Sequence, residues 1–332
     1  MSNFKVSLVA LDGQTPPDWV AKEVQAAGID FVVHECTTRE ELADHAGDAD
    51  VVWVFGGSPI VTAENFEVLP RCGAVIRTGS GTDNIPVGEA THRGIIVANT
   101  PEAHSDGVSD HAIGLLFAVV RQIAVQDRAV RRGTWDRALA WPEWHLHDQT
   151  LGLVGFGHIA QLVARKLSGF EMTTLAYDPY VSTEVMAAQG VQPAKLDEVL
   201  SRSDFVSIHC PLTKETHHLI GARELQLMKP RAILINTARG PVINEPALVR
   251  ALTKHWIAAA GLDVLEQEPT ASDNPLLKLD NVVLTPHIAG YTDESQEACW
   301  RLSVETAIAL AHGRWPRSFV NRDVKSRWNL TS

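Results

Sequence analysis

Short apolar runs alternate with amphipathic stretches along most of the chain. Val6 to Leu11, Phe31 to Val33, Val51 to Phe55, Ala74 to Arg77 and Ile95 to Ala98 read as strands. Trp19 to Ala27, Glu40 to Ala46, Ala63 to Leu69 and Val87 to Thr91 read as the helices between them. Such alternation predicts a parallel sheet covered on both faces. A second series begins at Leu151, with further strands at Thr174 to Tyr177, Phe205 to His209, Ala232 to Asn236, Ala258 to Leu262 and Val282 to Leu284. Six strands with intervening helices match a doubly wound nucleotide-binding sheet.

Val108 to Val130 carries Ile113, Leu116, Phe117 and Val120 at helical spacing and is read as one long helix crossing between the two series. A last helix, Glu294 to His312, is expected to return the chain to the first series. The fold class is therefore α/β, a doubly wound parallel-sheet domain inserted into a smaller, flavodoxin-like α/β substrate domain. The boundaries are 1–101 for the first part of the substrate domain, 102–292 for the insertion and 293–332 for the return segment, with hinges near Pro101 and Gly290 and a ligand cleft between the domains.

Bulk properties narrow the setting. A length of 332 residues suits about two domains. Hydrophobic content of 45% and charged content of 21% argue against disorder. A net charge of -11 opposes binding to nucleic acid or to an anionic membrane surface. Cys36, Cys72, Cys210 and Cys299 are scattered, the N-terminus lacks a basic and apolar leader, and no long apolar run is present, so the expected location is cytoplasmic.

The chemistry starts at Leu151-Gly-Leu-Val-Gly-Phe-Gly-His-Ile-Ala160. An apolar strand here ends in a tight turn at Gly155 and Gly157 and opens a helix, whose first N–H groups can face a pyrophosphate. Ala160 stands where a third glycine is common, a position that serves helix-on-strand packing and admits a methyl group. Asp178 ends the next strand, where a carboxylate accepts hydrogen bonds from the ribose hydroxyls of NAD and repels the additional phosphate of NADP. The insertion is thus an NAD-binding domain, with NAD as cofactor.

Three ionisable residues follow later strands, at the edge where open α/β sheets bind ligands. Arg239 lies in Asn236-Thr-Ala-Arg-Gly-Pro241, Glu268 in Asp263-Val-Leu-Glu-Gln-Glu-Pro269 and His287 in Thr285-Pro-His-Ile-Ala-Gly290. Reduction of a 2-keto acid needs a cation for the carboxylate, a proton donor for the carbonyl oxygen and a group that orients the donor. Arg239 can clamp a carboxylate bidentately, His287 can exchange a proton near neutral pH, and Glu268 can fix its tautomer and favour its charged form. Singly, each has a bland reading as a surface ion pair, a loop acid or a turn histidine. Together, behind a nucleotide turn, they point to hydride transfer.

The chain resembles the D-isomer-specific 2-hydroxyacid dehydrogenase family. The likeness is carried by Gly79-Ser-Gly-Thr-Asp-Asn84, Asn99-Thr-Pro101, the glycine turn, His209-Cys-Pro-Leu-Thr213, Asn236-Thr-Ala-Arg-Gly240, Gly261-Leu-Asp-Val264, Glu268-Pro269 and Thr285-Pro-His-Ile-Ala-Gly290. It implies that Arg239 binds substrate and polarises its carbonyl, that His287 is the acid/base and that Glu268 is its partner. It further implies that Asp263 meets the nicotinamide carboxamide and that His158, Ile159, Cys210, Thr216 and Ala238 line the cofactor. The turns containing Gly57 and Ser58, and Gly79, Ser80 and Gly81, would offer N–H groups to the substrate carboxylate.

Departures from the family pattern spare the trio. Val108-Ser-Asp-His111 replaces the common Val-Ala-Glu-His, and Pro86 stands where an acid often occurs. Phe55-Gly-Gly-Ser-Pro59 lacks the arginine usual in phosphoglycerate-specific relatives, which lowers the case for that substrate. An NAD-sensing corepressor of the same fold is the rival reading, although such proteins usually carry a long flexible tail. Formate dehydrogenase is disfavoured, because relatives of that type have glutamine at the Glu268 position.

Residues 133 to 149 fit neither series and contain Trp135, Trp141 and Trp144. They could plug a local core, but aromatic enrichment at interfaces favours an arm that forms a homodimer. In some relatives an aromatic of this arm reaches a neighbouring active site, which makes Trp141 the candidate here. His145-Leu-His147 and His217-His218 lack further ligands at a recognisable spacing, so no metal is expected.

Overall fold

The computed structural model describes residues 4–140 and 144–331. They form two compact units, one of residues Met1–His104 with Thr292–Ser332 and one of Ser105–Tyr291. In chain order the first unit contains β1 (Lys5–Ala10), α1 (Asp18–Ala26), β2 (Asp30–Val33), α2 (Arg39–Ala46), β3 (Val51–Phe55), β4 (Ala74–Thr78), α3 (Val87–His92) and β5 (Ile96–Asn99). The second contains α4 (Ser105–Val120), α5 (Ile123–Arg131), β6 (Thr150–Val154), α6 (His158–Leu167), β7 (Thr173–Tyr177), α7 (Thr183–Ala187), β8 (Gln192–Pro193), α8 (Leu196–Arg202) and β9 (Phe205–Ile208). It continues through α9 (Ala222–Leu227), β10 (Ile233–Asn236), α10 (Glu245–Thr253), β11 (Ala259–Leu262) and β12 (Val282–Leu284), after which α11 (Asp293–Ala311) belongs to the first unit.

The first sheet is all parallel, in the order β2-β1-β3-β4-β5, which is the flavodoxin-like order. Its strands are buried on both faces, as parallel sheets require. Leu8, Trp53 and Ile76 pack on Val20 and Val24 of α1 and on Trp300 and Val304 of α11. Val9, Val52 and Val75 face Leu42 of α2 and Phe66. Trp53 is fully buried, and its indole Nε1 donates to Thr78 Oγ1 at 2.7 Å. That bond satisfies the one polar atom of a ring that otherwise needs none.

The second sheet is also parallel, in the order β12-β11-β10-β9-β6-β7-β8. The direction of winding reverses between β6 and β9, and that switch point is where this architecture places its ligand. One face is covered by α4 and α6 through Leu115, Leu116, Val119, Ala160 and Val163, and the other by α8, α9 and α10 through Leu200, Leu225 and Leu248. The strand edge thus positions every candidate residue downstream of Leu151.

Four sequence expectations are corrected. The helix expected over Val108 to Val130 breaks: α4 and α5 are bent by 61° at Gln122, whose φ of 49° is left-handed and interrupts the ladder. The periodic apolar stripe is buried in α4, whereas α5 buries none of its residues. The Ala63 to Leu69 segment is a 3-10 turn over Glu64–Val68, tightened by Asn65, whose N–H donates to Thr62 Oγ1 and whose amide donates to Ile60 O. A seventh strand, β8, was not expected because it is two residues long and contains Pro193, tolerated only at an edge. Finally, the three tryptophans of the arm do not form one cluster. Trp135 is 83% exposed, while Trp144 packs on the core of the second unit with Arg231 5.6 Å over its ring. Trp141 lies outside the described residues.

Replacing Trp53 with Ala should destabilise the first unit by about 3–5 kcal/mol in denaturant titration, since it empties a ring-sized volume from the core. Trp53→Phe should cost clearly less, because Thr78 keeps its 2.9 Å contact with Ser303.

Candidate active site

The glycine turn is dictated by a close backbone crossing. Gly155 has φ +89°, and a Cβ there would lie 2.7 Å from the backbone N of Cys210, just past β9. Gly157 caps α6 in extended conformation with no side-chain capping bond, and a Cβ there would meet nothing within 4 Å. The first N–H groups of α6 therefore point to an open face beside the switch point, which suits a pyrophosphate. Ala160 is fully buried between α6 and the sheet, as its place in the motif requires.

Asp178 follows β7 and closes the same turn. Its Oδ2 accepts the Phe156 N–H at 2.8 Å, and Oδ1 accepts those of Tyr180 and Val181 at 2.8 and 3.2 Å. The donors hold the carboxylate in one orientation beside the glycine turn. His158 and Ile159 open α6, and Ala238 sits in the turn after β10. Burial pushes the Cys210 thiol up to about 11, which argues against a nucleophilic role. The Thr216 hydroxyl is engaged locally, donating to Pro211 O at 2.6 Å and accepting from Thr213 N at 2.7 Å.

His287 and Glu268 meet directly: Nδ1 lies 2.6 Å from Oε2. Glu268 Oε1 accepts the Leu265 N–H at 2.9 Å, which leaves the carboxylate little freedom. Burial pushes its carboxyl up, but the His287 hydrogen bond, the Leu265 N–H and the charges of His287 and Arg239 outweigh that and hold it below the ordinary range. The imidazole is about half exposed, so Nε2 can reach a ligand while Nδ1 is held. His209, another histidine at this edge, is pushed down to about 4 by burial and bonded to Ser207 Oγ at 2.9 Å, which argues against it as an acid.

Arg239 is set by the turn after β10. Buried Asn236 accepts the Ala238 N–H and donates to Arg239 O, both at 3.0 Å, while Arg239 Nη1 donates to Ala238 O at 2.8 Å. Gly240 allows this turn to pack directly on the Leu265 carbonyl, where a Cβ would collide. The Arg239 and Glu268 segments are thereby held together.

Asp263 has a task the sequence did not disclose. Its buried Oδ1 accepts from the Thr285 hydroxyl at 2.5 Å and the Ile288 N–H at 2.9 Å, and Oδ2 accepts the Ala289 N–H at 2.9 Å. His111 Nε2 is 2.9 Å from the Thr285 hydroxyl and 3.5 Å from Asp263 Oδ1. The His287 N–H donates to Asp263 O at 2.8 Å. These bonds hold His287 at φ 54°, a conformation uncommon for a residue with a Cβ. Thr285 could have been suspected from the Thr285-Pro-His287 run and His111 from the Val108-Ser-Asp-His111 run, but nothing in either run showed that the two meet.

In the first unit, the Gly57 and Ser58 turn follows β3, and Gly79, Ser80 and Gly81 follow β4. The Gly79 N–H is committed to Thr100 Oγ1 at 2.7 Å, whereas those of Ser58, Ser80 and Gly81 meet no acceptor among the described residues. Arg77, read from sequence only as a strand end, places its guanidinium against Gly79. The turn His217-His218 also departs from expectation, because Glu266 supplies a third potential ligand beside it. Those residues are 48 apart in sequence, so spacing could not reveal them.

Comparison with known proteins places the chain in a family. A model of the D-isomer specific 2-hydroxyacid dehydrogenase NAD binding domain matches residues 113–289. A glyoxylate reductase of Pyrococcus furiosus is 44% identical over 292 residues, covering 86% of each chain. The NADPH-dependent glyoxylate/hydroxypyruvate reductase of Sinorhizobium meliloti, solved with NADP and malonate, aligns with TM-score 0.85 and 28% identity, covering 98% of this chain and 99% of that one. A D-lactate dehydrogenase of Lactobacillus jensenii, solved with NAD+, aligns with TM-score 0.76 and 29% identity over 96% and 100%. The chain belongs to the D-isomer specific 2-hydroxyacid dehydrogenase family. It is an oxidoreductase that uses a nicotinamide dinucleotide.

Asp263→Asn replaces an acceptor with an NH2 group facing N–H or O–H donors. It should lower stability by about 1–3 kcal/mol in denaturant titration and reduce turnover, because the His287 turn loses its anchor. The lowered Glu268 carboxyl sets a pH dependence. Its stabilising contribution is present above the unfolded carboxylate value, about 4.3, and is lost as pH falls through the lower folded value. The difference in melting temperature between wild type and Glu268→Gln should accordingly shrink on acidification through that window.

Proposed function

We propose that the protein reduces a small 2-keto acid to its D-2-hydroxy acid with NADH, and that the reaction is reversible. The reading rests on one observation above all, the 2.6 Å pairing of His287 with Glu268 on the strand edge that also carries Arg239. A bound reduced nicotinamide would supply the hydride. His287 delivers a proton from Nε2 to the carbonyl oxygen as negative charge builds there, and Glu268 stabilises the imidazolium from which it leaves. Arg239 binds the substrate carboxylate and polarises the carbonyl, a role suited to its planar fork. In the first unit, the N–H groups of Gly57, Ser58, Ser80 and Gly81 are candidates for carboxylate binding, with Arg77 adding positive charge beside Gly79.

Gly155, Gly157, His158, Ile159, Cys210, Thr216 and Ala238 are assigned to the cofactor. Asp263 is assigned to the carboxamide as well as to the His287 turn. Asp178 favours NADH, because a 2′-phosphate would face its anion. The names of the relatives direct attention to glyoxylate and hydroxypyruvate as substrates. A homodimer formed through the 133–149 arm is supported by the exposed Trp135 of the arm, with Ile123 and Val130 exposed on the preceding α5.

His287→Ala should lower kcat by at least about a hundredfold while leaving NADH affinity within a few-fold of wild type. Arg239→Ala should lower kcat and raise KM. A panel of glyoxylate, hydroxypyruvate, pyruvate and bulkier keto acids, followed by NADH absorbance, tests the substrate class. Wild-type turnover in His287→Ala would refute the assigned acid. Asp178→Ala should erode the preference for NADH over NADPH, and equal efficiency of the wild type with both would refute the ribose assignment.

A further inference from the structure

Apart from the residues assigned above, His217, His218 and Glu266 bring one potential ligand atom each to within 4.8 Å of one another. His218 Nε2 is 2.6 Å from Glu266 Oε1, and the two imidazole rings lie 4.0 Å apart between centroids. The arrangement is built rather than incidental to a loose loop. The His218 N–H donates to Pro241 O at 2.8 Å and holds the residue at φ 54°. Glu266 and Glu245 at the start of α10 exchange backbone-to-carboxylate bonds, with Glu266 N donating to Glu245 Oε2 at 2.9 Å and Glu245 N donating to Glu266 Oε2 at 3.2 Å. Oε1 is left directed at the histidines. The third ligand, His217, is exposed, its ring lying against that of His218.

We propose that His217, His218 and Glu266 bind one borderline divalent metal ion, of the class of Zn2+. Two imidazoles and one carboxylate suit Zn2+ far better than Mg2+ or Ca2+, which demand more oxygen ligands. With bonds of about 2.0–2.2 Å, tetrahedral coordination separates ligand atoms by about 3.4 Å. The His218–Glu266 contact therefore opens by under about 1 Å as the ion replaces the shared proton. Three protein ligands leave one position for water.

Asn244 tunes this site. Its Nδ2 lies 3.3 Å from His218 Nδ1, while its Oδ1 accepts the Ala247 N–H as the cap of α10. Coordination through Nε2 puts the ring proton on Nδ1, opposite the amide donor, so uptake obliges Asn244 to turn. Asn244→Asp supplies an acceptor for that proton and remains a good cap.

The test is titration of the chelator-stripped full chain with Zn2+ alone, read by calorimetry and by thermal unfolding at neutral pH. One equivalent per chain is expected, with a rise in melting temperature. His217→Ala, at an exposed position, should weaken binding at least about tenfold and abolish the thermal shift, and Asn244→Asp should tighten binding about tenfold. His147→Ala, which removes another surface histidine paired with acids, should change neither. Absence of binding up to about 1 mM Zn2+, an affinity no better than a weak surface contact, would overturn the proposal. So would a single equivalent that survives His217→Ala, since the ion would then sit elsewhere.

Discussion

The buried carboxylate of Asp263 is the constraint on which the His287 turn at the strand edge of the second unit depends. Three hydrogen bonds converge on its two oxygens from the Thr285 to Ala289 turn, and its own carbonyl takes the His287 N–H. A buried charge is tolerable only when it is so compensated, and the compensation fixes the backbone that supplies it. His287 is consequently held in a left-handed conformation that its side chain would not select in isolation. The imidazole then meets Glu268 at 2.6 Å, so less ordering is left to the moment of ligand binding.

A second constraint operates through the absence of side chains. Gly155 lets the chain leave β6 against the backbone after β9, and Gly240 lets the Arg239 turn rest on the Leu265 carbonyl. Both glycines exchange side-chain packing for close backbone approach at the switch edge of the sheet. The cofactor turn, the arginine turn and the Glu268 segment are thus spaced by main-chain contacts, which are stiffer than contacts between flexible side chains.

The same crowding explains why several groups at this edge carry two duties. Asp178 closes the glycine turn through three N–H donors while its carboxylate stays beside the first turn of α6. The segment after β11 carries Glu268 toward His287 and Glu266 toward His218, two residues apart and facing different partners. Two polar pairings on one short segment make it a natural place for coupling between binding events, since whatever orders one carboxylate limits the motion of the other.

Local sequence determined much of this protein. Apolar runs of strand length separated by amphipathic stretches specify two parallel sheets, because βα alternation puts helices on both faces of such a sheet. The glycine turn and the places of Asp178, Arg239, Glu268 and His287 just past strands were legible, since each place depends on residue type at a fixed offset from a strand. What tertiary structure decided were pairings between distant segments. Gln122 broke a helix whose periodicity runs on, Trp144 joined a core instead of an aromatic cluster, and His111 came to Thr285 from 174 residues away. Glu266 likewise met His218 only through the fold. Periodicity and turn chemistry act over a few residues and leave a local mark, whereas a hydrogen bond between remote segments depends on the path of the whole chain and leaves none.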